Sequence, residues 1–403
     1  VSIAKYYAMR FASWLCDYLV LFAVPVLAYS VTADVRWSGA AVFFQWGPRL
    51  LGLSAAILRL DNIRQRTLMV VADLTRTATA LVAGLIMAVY PGAVLPVLMI
   101  FAMVVGLCFE LTFVGGEKIG LYLVRPEGQE RFQSQLTAFE QAAMVLGPAA
   151  AGVVLSFPPP VLMFVAAGLF GVSLLMSISV PSGGTAPTST AKRTLRATVR
   201  IALEDPVLRR IVLVTMGLNY VLALINGAAP QIAFGTFGTS SSELGLMYAA
   251  SSVPAIIGLL AFHRLTSRVS LSTIGVAVAV GMCLAALGVA VAARLWVFAG
   301  CLGAFLLLDS FFSVYIRVVR ARRVPLENYA ATVGLFGMLL IVPMPLAGLT
   351  LAAVGNLVDP AVLISASAAA VLIGAVTTLP RGRGLLVAPV ALGVGTTRIN
   401  HDS

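Results

Sequence analysis

Asp17, Arg49, Glu110 and Asp309 each stand inside stretches otherwise built of Leu, Val, Ala, Ile, Phe and Gly, and Arg10, Asp73, Arg76 and Glu140 do the same. A carboxyl group in such surroundings can take up and release a proton, pair with a guanidinium, or meet a cation. A charge at the middle of a bilayer costs about 2.5–3.5 kcal/mol on insertion scales, so it faces a partner or a wet cavity. Asn219 and Asn226 add hydrogen-bonding amides to one apolar stretch, which also carries Pro230 near its end. No Walker loop, GxSxG element, HExxH motif or histidine cluster accompanies these residues; His263 and His401 are the only histidines. The chemistry on offer is therefore proton and ligand binding with no cofactor, not catalysis.

What must hold these residues is a set of membrane helices. Of 403 residues 60% are hydrophobic and 11% charged, with a mean hydropathy of +0.99, whereas a soluble domain carries about 25% charge. Apolar runs long enough to cross a ~30 Å hydrocarbon core fall near 7–31, 38–58, 67–89, 94–117, 132–156, 161–180, 207–233, 241–262, 270–293, 296–318, 328–353 and 360–379, the fourth extending toward 123. The first is too long for a signal-peptide core and reads as a retained helix. Cys16, Cys108, Cys283 and Cys301 all lie in apolar runs without CxxC spacing, so they read as small buried residues.

Basic residues fix the orientation. Arg59, Arg64 and Arg66 follow the second run, and alternate connections then collect Lys118, Arg125 and Arg131, Lys192, Arg193, Arg196 and Arg200, Arg209 and Arg210, Arg264 and Arg268, Arg317, Arg320, Arg322 and Arg323, and Arg381 and Arg383. The opposite connections hold only Arg36 and Arg294. Positive residues accumulate on the cytoplasmic side, so both termini are expected there. The formal charge of +11 is then a basic cytoplasmic face and implies no nucleic-acid partner. The fold expected is all-α and integral to the membrane, with about twelve spans. A polar stretch rich in Pro, Ser, Gly and Thr at 181–205 divides it into a six-helix bundle at 1–180 and another at 206–380, with a cytoplasmic tail at 381–403. Traces of duplication support two pseudo-repeats: "LGPAAAG" at 146–152 matches "VPMPLAG" at 342–348, "LVRPEGQERFQSQL" matches "ARRVPLENYAATVG", and "ILRLDN" matches "FHRLTS".

Twelve spans, a 6+6 repeat and the charged "ILRLDNIRQR" loop after span two resemble the major facilitator superfamily over nearly the whole chain. The family signature in that loop is roughly G-x-x-x-D-R-x-G-R-R. Here Asp61 and Arg66 match, while Ile57, Asn62 and Arg64 depart from it. The resemblance implies a gating loop made of Asp61, Arg64 and Arg66, latching one bundle against the other; the alternative is that these charges only orient and solvate the loop. Gly147, Pro148 and Gly152 in span five look like a loose version of the Gly-Pro-x-x-Gly-Gly element of the superfamily's exporters, a helix-packing element in which small residues permit close approach. With "RFASWLCDYLVLFAVPVLAY" and "VVADLTRT", the pattern looks most like the siderophore and drug exporter subgroup that includes the enterobactin exporter. It implies a monomer in a bacterial-type inner membrane, exporting a small organic molecule against protons.

In this fold spans one, four, seven and ten line the cavity, which makes Asp17, Tyr18, Glu110, Asn219, Asn226 and Asp309 the expected substrate-cavity residues. Asp17 and Arg49 stand at similar depth on antiparallel neighbours and are expected to pair, either as a structural tie or, with Glu110, as the proton-coupling group. Asp73 and Arg76, three apart, are expected to pair locally, and Glu140 to join an inner network. Trp14, Tyr18, Phe109, Tyr220 and Phe305 are packing residues or stacking surfaces. A second resemblance is to ferroportin-type iron exporters, which place an acid in span one; it would make Asp17 a divalent-metal ligand. Otherwise no metal site is expected.

Overall fold

The computed structural model describes residues 3–58, 64–124, 128–179, 204–266, 270–324 and 335–379. Asp61, nearly all of the 181–205 linker and the 381–403 tail lie outside these residues. Twelve α-helices and no strand occur among the described residues. They are α1 (Ile3–Thr32), α2 (Val35–Leu58), α3 (Gln65–Val89), α4 (Val94–Leu123), α5 (Gln129–Val154), α6 (Pro159–Ser177), α7 (Pro206–Pro230), α8 (Ser241–Thr266), α9 (Leu271–Ala290), α10 (Leu295–Arg323), α11 (Leu335–Val354) and α12 (Pro360–Thr378). Among the described residues, ten segments are long and apolar enough to cross a membrane. In hydrocarbon every backbone N–H and C=O must be satisfied within the chain, so uninterrupted apolar runs can only be helices.

Helix starts follow ordinary capping chemistry. Asp205 accepts from the N–H groups of Val207 and Leu208 ahead of Pro206, Ser270 from Thr273, and Asp359 from Ala361 ahead of Pro360. Between α1 and α2, Ala33 takes a left-handed φ of 51° and its N–H closes on Tyr29 O at 2.7 Å, so Asp34 heads α2. Beyond α7 the chain loosens into a π-helical turn, Gln231–Thr236. A turn at Val342 breaks α11 before Pro343, which has no N–H to continue the ladder.

Helices α1–α6 pack chiefly on one another, through α3 with α6, α2 with α4 and α1 with α5; α7–α12 do likewise, through α9 with α10, α8 with α10 and α9 with α12. Two seams join the sets, α2 against α11 and α5 against α8, with α7 touching α1 and α2. Both seams run on glycine. A Cβ on Gly39 would lie 2.5 Å from Leu351 Cβ and 2.8 Å from Gly348 O, and one on Gly348 would lie 2.5 Å from Phe43 N. Across the other seam a Cβ on Gly245 would meet Pro148 O at 2.5 Å, and one on Gly152 would meet Ser241 O at 2.9 Å. Such distances leave no room for any side chain. Ser242 Oγ donates to Gly152 O at 3.1 Å within the α5–α8 seam, and Ser38 Oγ donates to Gly227 O of α7 at 2.6 Å beside the α2–α11 seam. These approaches collect at the end of the molecule remote from the start of α1 and the finish of α12, where α2 and α8 begin and α5 and α11 finish.

Candidate functional site

Inside that closed end, at mid-height between the two helix sets, lies a cavity of about 160 Å³. The first set contributes Tyr18, Leu21, Phe22, Pro25 and Val26 of α1 and Met144 and Pro148 of α5. The second contributes Leu222, Asn226 and Ala229 of α7, Tyr248 and Ser252 of α8, and Leu306 of α10. No lining residue carries a formal charge. The polar edge is small: Tyr248 Oη donates to Asn226 Oδ1 at 3.2 Å, and Tyr18 Oη to Glu140 Oε1 at 3.3 Å. Phe22 meets Tyr248 edge-on, with centroids 5.1 Å apart. Pro148 reaches the cavity because the neighbouring Gly147 brings α5 onto α1, where a Cβ would stand 2.6 Å from Tyr18 Cβ.

The charged residues of the first set form a separate buried layer. Asp17, Asp73 and Arg76 are 3% exposed or less. Arg76 Nη1 donates to Asp17 Oδ1 at 2.9 Å and to Oδ2 at 3.2 Å, and Nη2 donates to Ser13 Oγ at 3.1 Å and to Asp73 Oδ1. Ser173 Oγ donates to Asp73 Oδ2 at 2.9 Å, and the guanidinium stands 4.3 Å over the Phe170 ring. One arginine thus bridges two carboxylates and ties α1, α3 and α6 together, with two serines filling remaining acceptor sites.

The ion pair expected between Asp17 and Arg49 is not formed. Arg49 is sandwiched between the rings of Trp46, one turn back on α2, at 4.2 Å, and Phe109 of α4 at 3.8 Å. The reason is angular: equal depth on two helices does not place side chains on facing sides. At Arg49 the α2 surface turns toward α4, which it touches closely through Gly52 against Leu107 O. Asp17 instead meets Arg76, whose pair with Asp73 accounts for only half of its bonding. Glu110, 4% exposed, adjoins Phe109 in the Arg49 layer but makes no ion pair within 4 Å among the described residues.

The six expected cavity residues therefore separate. Tyr18 and Asn226 line the cavity. Asp17 is held by Arg76, Glu110 lies between α2 and α4, and Asn219 Nδ2 donates to Leu340 O at 2.8 Å, beside the break in α11. Asp309 sits on α10, one turn from the wall residue Leu306, half-buried and without a hydrogen bond or ion pair among the described residues. In the expected gating loop, Arg64 is exposed at the head of α3 and Arg66 half-buried in its first turn. Tyr248, Ser252, Ser13 and Ser173 escaped the sequence reading, because neutral hydroxyl residues in apolar helices carry no signal beyond their partners' positions. Arg10 Nη1 donates to Thr112 O at 3.0 Å while the guanidinium lies 4.2 Å over Trp14, a tie between α1 and α4.

Comparison with known proteins agrees with this architecture. A search of curated protein sequences finds no match. Among solved structures, the nucleoside transporter NupG superposes with a TM-score of 0.74 at 12% identity, covering 93% of this chain and 98% of that one. A bacterial homologue of the iron transporter ferroportin in an inward-facing state gives 0.73 at 18% identity, covering 94% and 98%. The xylose transporter XylE from E. coli in an inward-open conformation gives 0.70 at 10%, covering 95% and 98%. At these identities the likeness is one of fold. The sequence itself matches the Major Facilitator Superfamily over residues 6–339, so the chain belongs to that family of membrane transporters.

Proposed function

We propose that the protein is a proton-coupled secondary transporter that exports a small organic molecule by alternating access. The observation that carries this reading is the mid-height cavity walled by both helix sets and closed at one end by glycine seams. A rigid-body movement of one set against the other would open those seams and close the opposite end, turning the same cavity from one side of the bilayer to the other. With both termini cytoplasmic, as the basic connections argue, we read this arrangement as inward-facing, the state named for two of its structural neighbours. The cavity wall is mostly aliphatic and aromatic, which suits an organic compound such as a drug-like molecule or a siderophore. The expected location is a bacterial-type inner membrane, with the chain acting as a monomer.

Proton coupling is assigned to the buried Asp17–Arg76–Asp73 layer, with Arg49 and Glu110 beside it. Asp17 Oδ1 faces Arg76 Nη1 on the helix whose next residue, Tyr18, lines the cavity. A shift of α1 on transport would lengthen this pair, weaken the hold of Arg76 on the carboxylate and let Asp17 take a proton. Return of α1 would restore the pair and expel it. The Asp61, Arg64 and Arg66 loop is proposed as the latch on the cytoplasmic face.

A second reading is export of a divalent metal, favoured by the position of Asp17 and by the likeness to the bacterial ferroportin homologue. Against it, the Arg76 guanidinium occupies both oxygens of Asp17 in this state and repels a cation there.

The deciding measurement is proton movement in proteoliposomes, reported by an internal pH dye, as Mn²⁺ and then a panel of organic compounds are added. Organic-evoked proton flux that Asp17→Asn removes is the expected result. Flux evoked by Mn²⁺ alone would replace this reading with metal export.

A further inference from the structure

The buried face of α10 is a regular stripe. Phe298, Leu302, Phe305, Phe312 and Ile316, with position 309 between the third and fourth, recur at three- and four-residue spacing, and these five are 7% exposed or less. Asp309 belongs to the same stripe and interrupts it twice over, as its one charge and as its partly exposed member between fully buried Phe305 and Phe312. Asp309 is thus less tightly covered than the stripe residues on either side of it. Asp309 is not itself part of the cavity wall, but Leu306, one turn away on α10, is.

An acid inside a membrane protein has a counter-ion nearby, and in the first helix set the counter-ions are present: Arg76 serves Asp17 and Asp73, and Arg49 lies in the layer beside Glu110. In the second set Asp309 has none within 4 Å among the described residues. Gly39 and Gly52 of α2 recur as Gly245 and Gly258 of α8, each pair 206 residues apart, and in that register the position of Arg49 is taken by Ala255, which is fully buried. Nearest along α10 itself are Arg317 and Arg320, two turns or more beyond Asp309, and Arg323 is engaged with Asp205 at 3.0 Å. Arg49 and Arg76 are turned into their own helix set by ring stacking and by Asp17 and Asp73.

We infer that Asp309 anchors the positive end of the transported molecule, and that the substrate is an organic monocation with an apolar group of about one ring. This rests on the organic-transport reading and names its substrate class. The cavity of about 160 Å³ matches in size the engineered ~150 Å³ apolar cavities that accept benzene. Phe22, Leu222 and Leu306 enclose the ring, and the ammonium points one turn toward the termini, where Asp309 supplies the missing counter-charge. The lining offers no base to hold an anion, and a single unpaired carboxylate with apolar surroundings is too few ligands for a bare divalent ion.

The test measures binding of benzyltrimethylammonium, a permanent cation, and of neopentylbenzene, its uncharged carbon isostere, to the purified full chain in lipid nanodiscs. The cation is expected to bind wild type and Asp309→Glu. Asp309→Asn is expected to lose roughly 30-fold or more in cation affinity, the usual consequence of truncating one partner of a desolvated charge pair, while its binding of neopentylbenzene is unchanged. Equal cation binding by Asp309→Asn and wild type overturns the inference, as does an equal loss for both compounds, which would mark Asp309 as merely structural. The transport reading is judged separately in the proteoliposomes. Asp17-dependent flux of neutral or anionic compounds without cation binding overturns this inference alone, whereas Mn²⁺ flux without any organic flux overturns both.

Discussion

The two helix sets are built alike and charged differently. Their close-packing glycines recur: Gly39 with Gly245, Gly52 with Gly258, Gly106 with Gly303, and Gly152 with Gly348. In each set Gly106 or Gly303 admits a backbone of α2 or α8, at Gln45 or Ser251. Charge does not recur. Arg10, Asp17, Arg49, Asp73, Arg76 and Glu110, all from α1–α4, are the buried residues with a formal charge among those described, while the second set buries Thr215, Ser251, Ser252 and Ser272. In the register of the glycines paired between α2 and α8, Arg49 is matched by Ala255. Backbone approach is a demand that both bundles meet in the same way, so glycine is kept in both. An ion-pair layer is costly to bury and is needed once, so one copy holds it and the other is free to offer a lone acid to a ligand.

The largest effect that would sharpen this contrast is expected from Arg76→Met. It leaves Asp17 and Asp73 buried without their cation, a loss of about 3–5 kcal/mol, and thermal unfolding in detergent should drop accordingly. Asp309→Asn removes a charge that has no partner among the described residues, so its unfolding temperature should stay at or above that of wild type. Comparable destabilisation by both substitutions would show that the second set depends on a charge layer as the first does.

Next in size are the seams. Gly245→Val and Gly348→Val each force a branched side chain into a backbone contact of 2.5 Å, and overpacking of this kind costs about 1–3 kcal/mol. Because the contact exists only while the end remote from the termini is closed, the cost falls on that state and shifts the population toward opening there by roughly 5- to 150-fold. Distances between spin labels placed across that end should lengthen equally in the two variants. A response from only one would mean that the duplicated glycines do not share the load.

How much of this was legible in the sequence follows from what each signal measures. Apolar runs of about twenty residues fix the helices, and α4 to Leu123 or α8 from Ser241 start and stop within a few residues of the expected ends. The "LGPAAAG" and "VPMPLAG" match also pointed to real contacts, since Gly152 and Gly348 stand in the two seams. Side-chain partners were less legible. Sequence position gives depth along a helix, and depth alone paired Asp17 with Arg49; the angle around the helix, set by packing of α2 on α4, sends Arg49 to Phe109 and leaves Asp17 to Arg76. The cavity wall was legible only at Tyr18 and Asn226, because Leu222, Leu306 and Phe22 look like any other membrane residue until two helix sets place them face to face.

The smallest effect concerns a charged contact that joins the sets at their closed end. Arg36 Nε and Nη2 donate to Asp34 Oδ2 at 3.0 and 2.8 Å, in the first turn of α2. Asn356, between α11 and α12, completes the contact when its amide is turned so that Nδ2 donates to Asp34 Oδ1 at 3.0 Å and its oxygen accepts from Arg36 Nε at 2.9 Å. The hydrogen bonds from Arg36 hold the Asp34 carboxyl below the usual carboxylate range. A depressed pKa means that the clasp is fully formed above the ordinary carboxylate range and is lost as pH falls through the lowered value. Arg36 is half-exposed, so water screens the clasp and its contribution to closure is small. Asp34→Asn should therefore loosen the same spin-label distance slightly at neutral pH and abolish its change on acidification, while Gly245→Val should keep that acid response superimposed on a larger opening. An acid response that survives Asp34→Asn would assign it to another group.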